Sequence, residues 1–291
     1  MKILFVTSNR LGDAVLSTGL LDHLIRTCPA ARITVVCGPV AEGVFARMPN
    51  RDRTIVLSKL PYGRHWLPLW AKTATHVWDL VVDIRGSALS WLVPTRRRAV
   101  FRRIAGPKVA QLAAILGVSP PPLPVAWTSP PDRQRAADLL PADQPAIVLA
   151  PTANWLPKVW PADRFAAVFH EIARSLLPGA TAVVLGGPGA AERAMAAPLL
   201  AALPRAIDLV GVLSLPEVAA VLQRAALFIG NDSGLMHLSA ASGASTIGLF
   251  GPTDASVYGP AGRCSVAVVQ PSMEAITVQQ VSEAARKLLR H

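Results

Sequence analysis

The sequence predicts an α/β chain built as two doubly wound, Rossmann-like domains in tandem, and three observations carry that reading. Short runs that are apolar on both faces alternate with helical patterns along the chain; a proline-rich segment divides it; and strand-like runs end in glycines or small polar residues. Strands without polar alternation, separated by helices, indicate parallel sheets covered by helices on both sides. Before the divide the strand runs are "KILFVTS", "RITVVCG", "RTIVLS" and "DLVVDIR"; after it they are "PAIVLAP", "TAVVLGG", "AIDLVG", "ALFIGND" and "STIGLFG". Between them, "WPADRFAAVFHEIARSL" and "SLPEVAAVLQRA" place apolar residues at i, i+3 and i+4, the helical spacing.

The divide is "SPPPLPVAWTSPP", Ser119 to Pro131, with six prolines in thirteen residues. Proline fixes its own φ and turns the preceding residue away from helix, so this segment reads as a stiff, extended connector. The expected domains are therefore 1–128 and 129–291, with the last helix returning to pack on the first. A chain of 291 residues is long enough for two cores of that size.

Composition narrows the function classes. The chain is 52% hydrophobic with mean hydropathy +0.39, yet no segment reaches the run of about 18 apolar residues that a membrane-spanning helix needs. "MKILFVTSNRLGDAVLST" is interrupted by Asn9, Arg10 and Asp13 before an export signal takes shape, so it reads as a strand. Cys28, Cys37 and Cys264 are widely spaced and odd in number, which indicates neither a disulfide framework nor a zinc site and fits a reducing cytoplasm. Residues 1–128 hold 17 Lys and Arg against 6 Asp and Glu, whereas 129–291 hold 12 against 12, so the whole net charge of +11 lies in the first half. Such asymmetry points the first domain at an anionic partner: nucleic acid, phospholipid or a phosphorylated lipid.

In an open α/β sheet, ligands sit outside the carboxyl ends of the strands. That rule selects five loops: "SNRLGD", "PTANWLPK", "GGPGAAE", "GNDSG" and "FGPTD". Each follows a strand run and carries glycine or hydrogen-bonding side chains, and all five are expected to converge on one cleft between the domains. In "GNDSGLMHL" a helix opening near Gly234 aims its positive end at the loop, and the glycines admit close backbone approach, which suits a phosphate. Asn231, Asp232 and Ser233 also make an ordinary N-cap cluster, and His237 reads equally as a buried, hydrogen-bonded histidine. A dinucleotide site needs G-x-G-x-x-G after a strand, and a P-loop needs GxxxxGK[ST]; neither pattern is present, nor are HExxH and GxSxG.

"SNRLGDAVLSTGLLDHL", "PKVWPADRF" and "GNDSGLMHLSAASGASTIGLFGPTD", in this order, resemble the ADP-heptose:lipopolysaccharide heptosyltransferases of glycosyltransferase family nine. The resemblance implies a GT-B fold, with the acceptor bound by the first domain, the nucleotide-sugar donor by the second, and inverting transfer that needs no metal and no cofactor. It implies Asp13 as general base and Lys158 as the cation facing the departing diphosphate. Thr152, Asn154, Glu192, Asn231, Asp232, Ser233, Gly234 and His237 would bind the donor, and Arg10, Arg96, Arg97 and Arg98 the acceptor. Ser233 stands where threonine is common, and Asn154 and Trp155 stand where small polar residues are usual. The implied partners are ADP-heptose and an anionic lipid-linked saccharide, with peripheral contact to the inner membrane and no nucleic acid. The alternative is a nucleotide-binding protein that has kept the cleft without turnover; Asp13 and Lys158 together favour the enzyme, because a pure binder needs neither a base nor a leaving-group cation.

Overall fold

The computed structural model describes residues 1–58 and 60–290, which divide into two compact units, Met1–Trp127 and Thr128–His291. The first contains β1 (Lys2–Val6), α1 (Leu11–Thr27), β2 (Arg32–Cys37), β3 (Arg51–Val56), α2 (Trp66–Ala74), β4 (Trp78–Asp83), α3 (Leu89–Leu92), β5 (Thr95–Val100) and α4 (Lys108–Ala113). All pairings are parallel, in the order β3-β2-β1-β4-β5. The second unit contains α5 (Pro130–Leu139), β6 (Ala146–Ala150), α6 (Ala162–Ser175), β7 (Thr181–Val184), α7 (Ala190–Ala202), β8 (Ile207–Asp208) and α8 (Leu215–Arg224). It continues with β9 (Ala225–Asn231), α9 (Gly234–Ser242), β10 (Thr246–Phe250), α10 (Ala255–Tyr258), β11 (Ser265–Val269) and α11 (Val278–Leu288). Its strands are again parallel, in the order β11-β10-β9-β6-β7-β8.

Both orders follow from the same chain logic. From the first strand the chain steps outward twice and then returns to the other side, which opens a crevice between β1 and β4 in one unit and between β6 and β9 in the other. The central strands are buried from end to end, as in Ala146–Ala150, because helices cover both faces. Close packing at one point requires a glycine: a Cβ on Gly248 would lie 2.4 Å from Met236 Sδ, so only a bare backbone in β10 lets α9 settle on the sheet.

Helix boundaries are set by local chemistry. Ser129 and Ser214 each close a capping box, with Asp132 and Glu217 respectively, and proline follows in the first turn. Thr277 does the same with Gln280 at the start of α11. The last two prolines of the connector thus begin α5. The connector is also pinned: Val125 N–H donates to Thr18 Oγ1 at 2.8 Å.

Two strands lie outside the expected runs, and the last helix finds partners in its own unit. "TRRRAV" forms β5, an edge strand whose arginines hide it from any apolar-run criterion, and charged edges of this kind discourage pairing with other chains. "SVAVV" forms β11, one edge of the other sheet. Finally, α11 packs on α6, β10 and β11, and Val281 and Ala285 are buried in the second unit's core. Its periodicity marked a buried face without saying which surface would bury it.

Candidate active site

In the second unit, four of the loops selected from sequence follow the neighbouring strands β10, β9, β6 and β7. Asn231 ties two of them together across the crevice. Its Oδ1 accepts from Trp160 N–H at 3.1 Å and its Nδ2 donates to Pro151 O at 2.8 Å. This cross-brace holds the segment that carries Lys158, whose Nζ donates to Asp232 Oδ2 at 2.6 Å. The Lys158 and Asp232 side chains are only 18% and 9% exposed, so the pair is not the fully solvated kind that contributes almost nothing.

Trp160 anchors the segment from below. It is fully buried, meets the Phe165 ring edge-on at 4.9 Å, and donates from Nε1 to Ile276 O at 3.0 Å. Trp160→Ala is expected to destabilise the protein by about 3–5 kcal/mol, the usual cost of emptying such a site. The melting temperature should then fall by roughly 10 °C, whereas Trp160→Phe should recover most of it. A Trp160→Ala melting point within about 2 °C of the parent would show that the anchor is elsewhere.

Ser233 is the N-cap residue of α9, with extended backbone and no side-chain cap bond. Its buried Oγ has no hydrogen-bond partner among the described residues, and neither has Oγ1 of Thr253 in the loop after β10. Ser233 Oγ, at the N-terminus of α9 and next in the chain to the Asp232 that holds Lys158, is a group that an anionic ligand would satisfy, and Thr253 offers a second orphaned hydroxyl after the neighbouring strand. Gly234 opens α9 beside them, and His237 is buried one turn on, its backbone N–H directed at Ser233 O at 3.5 Å. In the loop after β7, Glu192 Oε2 accepts the Gly187 N–H at 3.0 Å, so the carboxylate stands at the end of the unit's second strand. In dinucleotide-binding sheets an acid in that region meets the ribose hydroxyls. Thr152 is buried, whereas Asn154 is exposed.

In the first unit, Asp13 sits in the opening turn of α1, half-buried, and accepts from Ser8 Oγ at 3.3 Å. Arg10 is the N-cap residue of the same helix and exposed. Across the crevice, Asp83 is fully buried and closes the loop after β4 by accepting from Arg85 N–H, Ser87 N–H and Ser87 Oγ. Arg85 Nη1 then donates to Asn9 Oδ1 at 3.3 Å, linking the two loops.

The structure does not bring Arg96, Arg97 and Arg98 to this loop cluster. Arg97 and Arg98 lie level with Leu80 and Val81 of β4, below the carboxyl ends of the strands. Arg96 pairs with Asp79 at 3.2 Å, and Arg98 stacks on Trp91 with its guanidinium 4.8 Å from the ring centroid. A cation coupled to Asp13 is instead Lys108: burial pushes the Lys108 ammonium down from its ordinary range, the Asp13 charge raises it part of the way back, and Arg103 lowers it further. Lys108 also sits 4.1 Å over the Phe101 ring. The sequence signal for both was their position just beyond a strand end, invisible until the arginine run was known to be that strand.

Among the described residues no three His, Cys, Asp or Glu side chains group to hold a metal ion, and no helix is long and apolar enough to cross a membrane.

Comparison with known proteins agrees with this arrangement. The family model described as glycosyltransferase family 9 (heptosyltransferase) matches residues 87–287. Lipopolysaccharide heptosyltransferase 1 of Pseudomonas aeruginosa is 29% identical over 99% of this chain and 90% of its own. Lipopolysaccharide heptosyltransferase 3 of Escherichia coli is 26% identical over 89% of this chain and 72% of its own. Among solved structures, a family 9 glycosyltransferase of Veillonella parvula superposes with TM-score 0.84 at 22% identity, over 99% of this chain and 97% of that one. The E. coli ADP-heptose lps heptosyltransferase II superposes with TM-score 0.79 at 22% identity, covering 100% and 99%. With paired parallel sheets of GT-B type and a family match across most of its length, the chain belongs to glycosyltransferase family 9, the heptosyltransferases.

Proposed function

We infer that the protein transfers a heptose from ADP-heptose to the saccharide of a lipopolysaccharide core, the reaction class carried in its relatives' names. The observation that carries this reading is the Lys158–Asp232 pair at the β6/β9 crevice, next in the chain to Ser233, the N-cap residue of α9, whose buried hydroxyl has no partner among the described residues. That set is suited to a nucleoside diphosphate. The donor pyrophosphate lies against Ser233, Gly234 and Thr253, with His237 behind them; Glu192 receives the ribose hydroxyls, and Thr152 and Asn154 border the phosphates.

The acceptor chemistry is assigned to the first unit. Asp13 takes the proton of the attacking hydroxyl while its oxygen bonds to the anomeric carbon. The bond from that carbon to the phosphate oxygen breaks on the opposite face, so configuration inverts, and the nucleoside diphosphate leaves with the electron pair. Lys158 offsets the charge that develops there, the role a divalent ion plays in other transferases. Arg10, together with Lys108 and Arg103, faces the anionic acceptor. The acceptor being lipid-linked, the enzyme works at the cytoplasmic face of the inner membrane.

Thermal stabilisation by nucleoside diphosphates tests the donor assignment. ADP at about 100 times its dissociation constant should add about 2.7 kcal/mol, more than GDP or UDP at the same concentration. Gly234→Val should abolish the effect, because its side chain fills the space where phosphate approaches backbone. EDTA should leave transfer from ADP-heptose unchanged. A larger stabilisation by UDP or GDP, or strict dependence on a divalent ion, would contradict the reading.

A further inference from the structure

The first unit carries an apolar surface that the proposed transfer chemistry does not use. In α2 and α3, Leu69 and Leu89 enter the core, while Leu67, Trp70, Trp91 and Leu92 are exposed, the last two at 66% and 62%. The two helices pack together, and Trp70 Nε1 donates to Leu92 O at 2.9 Å, so the exposed groups form one face. Between them opens a cavity of about 240 Å³, walled by Trp66, Trp70, Ala88, Leu89 and Leu92, with Ser87 as the polar member.

Cations frame this face. Arg85 lies over the Trp66 ring at 5.4 Å, Arg98 over Trp91 at 4.8 Å, and Arg53 donates to Lys72 O at 3.2 Å on α2. The sequence has no Asp or Glu from 53 to 78 or from 84 to 131, so both helices and the stretches that flank them are free of acids. Indoles exposed beside arginines, around an apolar slot, match a bilayer interface: the rings suit the headgroup boundary, guanidinium groups meet lipid phosphates, and the slot admits hydrocarbon. The face is also continuous with the site. Arg85, stacked on Trp66, bonds Asn9 in the loop that leads to Asp13.

We propose that α2 and α3 form the docking face for an anionic bilayer, inserting Leu67, Trp70, Trp91 and Leu92 into the interfacial layer so that a lipid-borne acceptor arrives beside the Asp13 loop. The proposal rests on the reading of a lipid-linked acceptor and assigns it a surface. It also gives Arg98 a part different from the acceptor contact expected from sequence: the residue orients Trp91 and meets the membrane.

The test is co-sedimentation of the whole chain with vesicles of phosphatidylglycerol and phosphatidylethanolamine, against vesicles of phosphatidylcholine alone. The parent should bind the anionic vesicles and lose affinity as salt rises, since the screening length falls from about 10 Å at 0.1 M to about 3 Å at 1 M. Trp91→Ser with Leu92→Ser should weaken binding about tenfold or more, and Arg98→Gln several-fold. A control pair in the second unit, Val212→Ser with Val269→Ser, removes similarly exposed apolar groups and should change nothing. The parent and all variants should melt alike, because every replaced side chain is exposed.

Equal sedimentation of the parent and the Trp91/Leu92 variant, equal binding to both vesicle types, or no binding by the parent would overturn the proposal. So would a concentration-dependent dimer of the parent that the same two substitutions abolish, which would assign the face to a second copy of the chain. Transfer assays separate this outcome from the underlying reading. With a deacylated, water-soluble acceptor the Trp91/Leu92 variant should match the parent and fall behind only on vesicle-borne acceptor; a parent inactive on both acceptors would sink the transferase reading while leaving the vesicle result to stand alone.

Discussion

Asp13→Ala is expected to lower turnover about 10²–10⁴-fold, the range for loss of a general base, while ADP binding stays within about twofold of the parent. The separation follows from placement: Asp13 opens α1 in the first unit, whereas the groups assigned to the donor stand on the second. An ordinary structural role for Asp13 has to be separated from catalysis, because a carboxylate in the first turn of a helix also steadies its dipole, at about 0.3–1 kcal/mol. Asp13→Asn makes that separation. The amide keeps an oxygen for the Ser8 hydroxyl, which now donates to the carboxylate at 3.3 Å, but has no basic lone pair to accept the acceptor's proton. It should melt near the parent and be as inactive as the alanine variant. Retention of more than about a tenth of parental turnover by either variant would remove Asp13 from the role.

The parts of the fold that were legible in sequence are those where burial on both faces leaves no polar interruption. β1, β2, β4, β6, β7, β9 and β10 are such strands, and their apolar runs stand out. Two of the four edge strands, β5 and β11, escaped that reading: one side of an edge meets solvent, and its side chains answer to solubility as well as packing. β5 is written in arginines for that reason, so no apolar run marked it as a strand. The true strand end, at Val100, moves attention to the residues just beyond it, Arg103 and Lys108, of which Lys108 is coupled to the Asp13 charge.

The donor loops were legible for another reason. The residues at the end of β9 do three jobs within four positions: Asn231 braces the sheet loops, Asp232 holds Lys158, and Ser233 is the N-cap residue of a helix that opens at Gly234. Such density of polar groups after an apolar strand signals a site before any geometry is known. Which polar group does which job was not legible, since the Asn231 bonds reach 71 and 80 residues along the chain and the Asp232 bond reaches 74. Asp232 in particular reads from sequence as a donor contact, and its pairing with Lys158 was not legible there.

That partnership sets the second large effect. Lys158→Ala is expected to reduce turnover about 10²–10³-fold, comparable to removing one group that stabilises developing charge at a reacting centre, and to weaken ADP binding as well. It should also destabilise the fold by about 1–3 kcal/mol, because Asp232 is left desolvated with its charge-assisted bond unmade. Asp232→Ala frees the lysine rather than removing it, so its turnover should fall less, and melting should again drop. The double variant distinguishes positioning from direct contact. If Asp232 acts by holding Lys158, the double variant should turn over no more slowly than Lys158→Ala alone. It should also regain stability, since no unpaired charge remains in the crevice. Lys158→Arg should not rescue activity fully, because a planar guanidinium does not fit where a compact ammonium reaches Asp232 at 2.6 Å. If the two turnover losses instead multiply in the double variant, Asp232 touches the donor in its own right. Turnover of Lys158→Ala within about threefold of the parent would take the lysine out of the leaving-group role altogether.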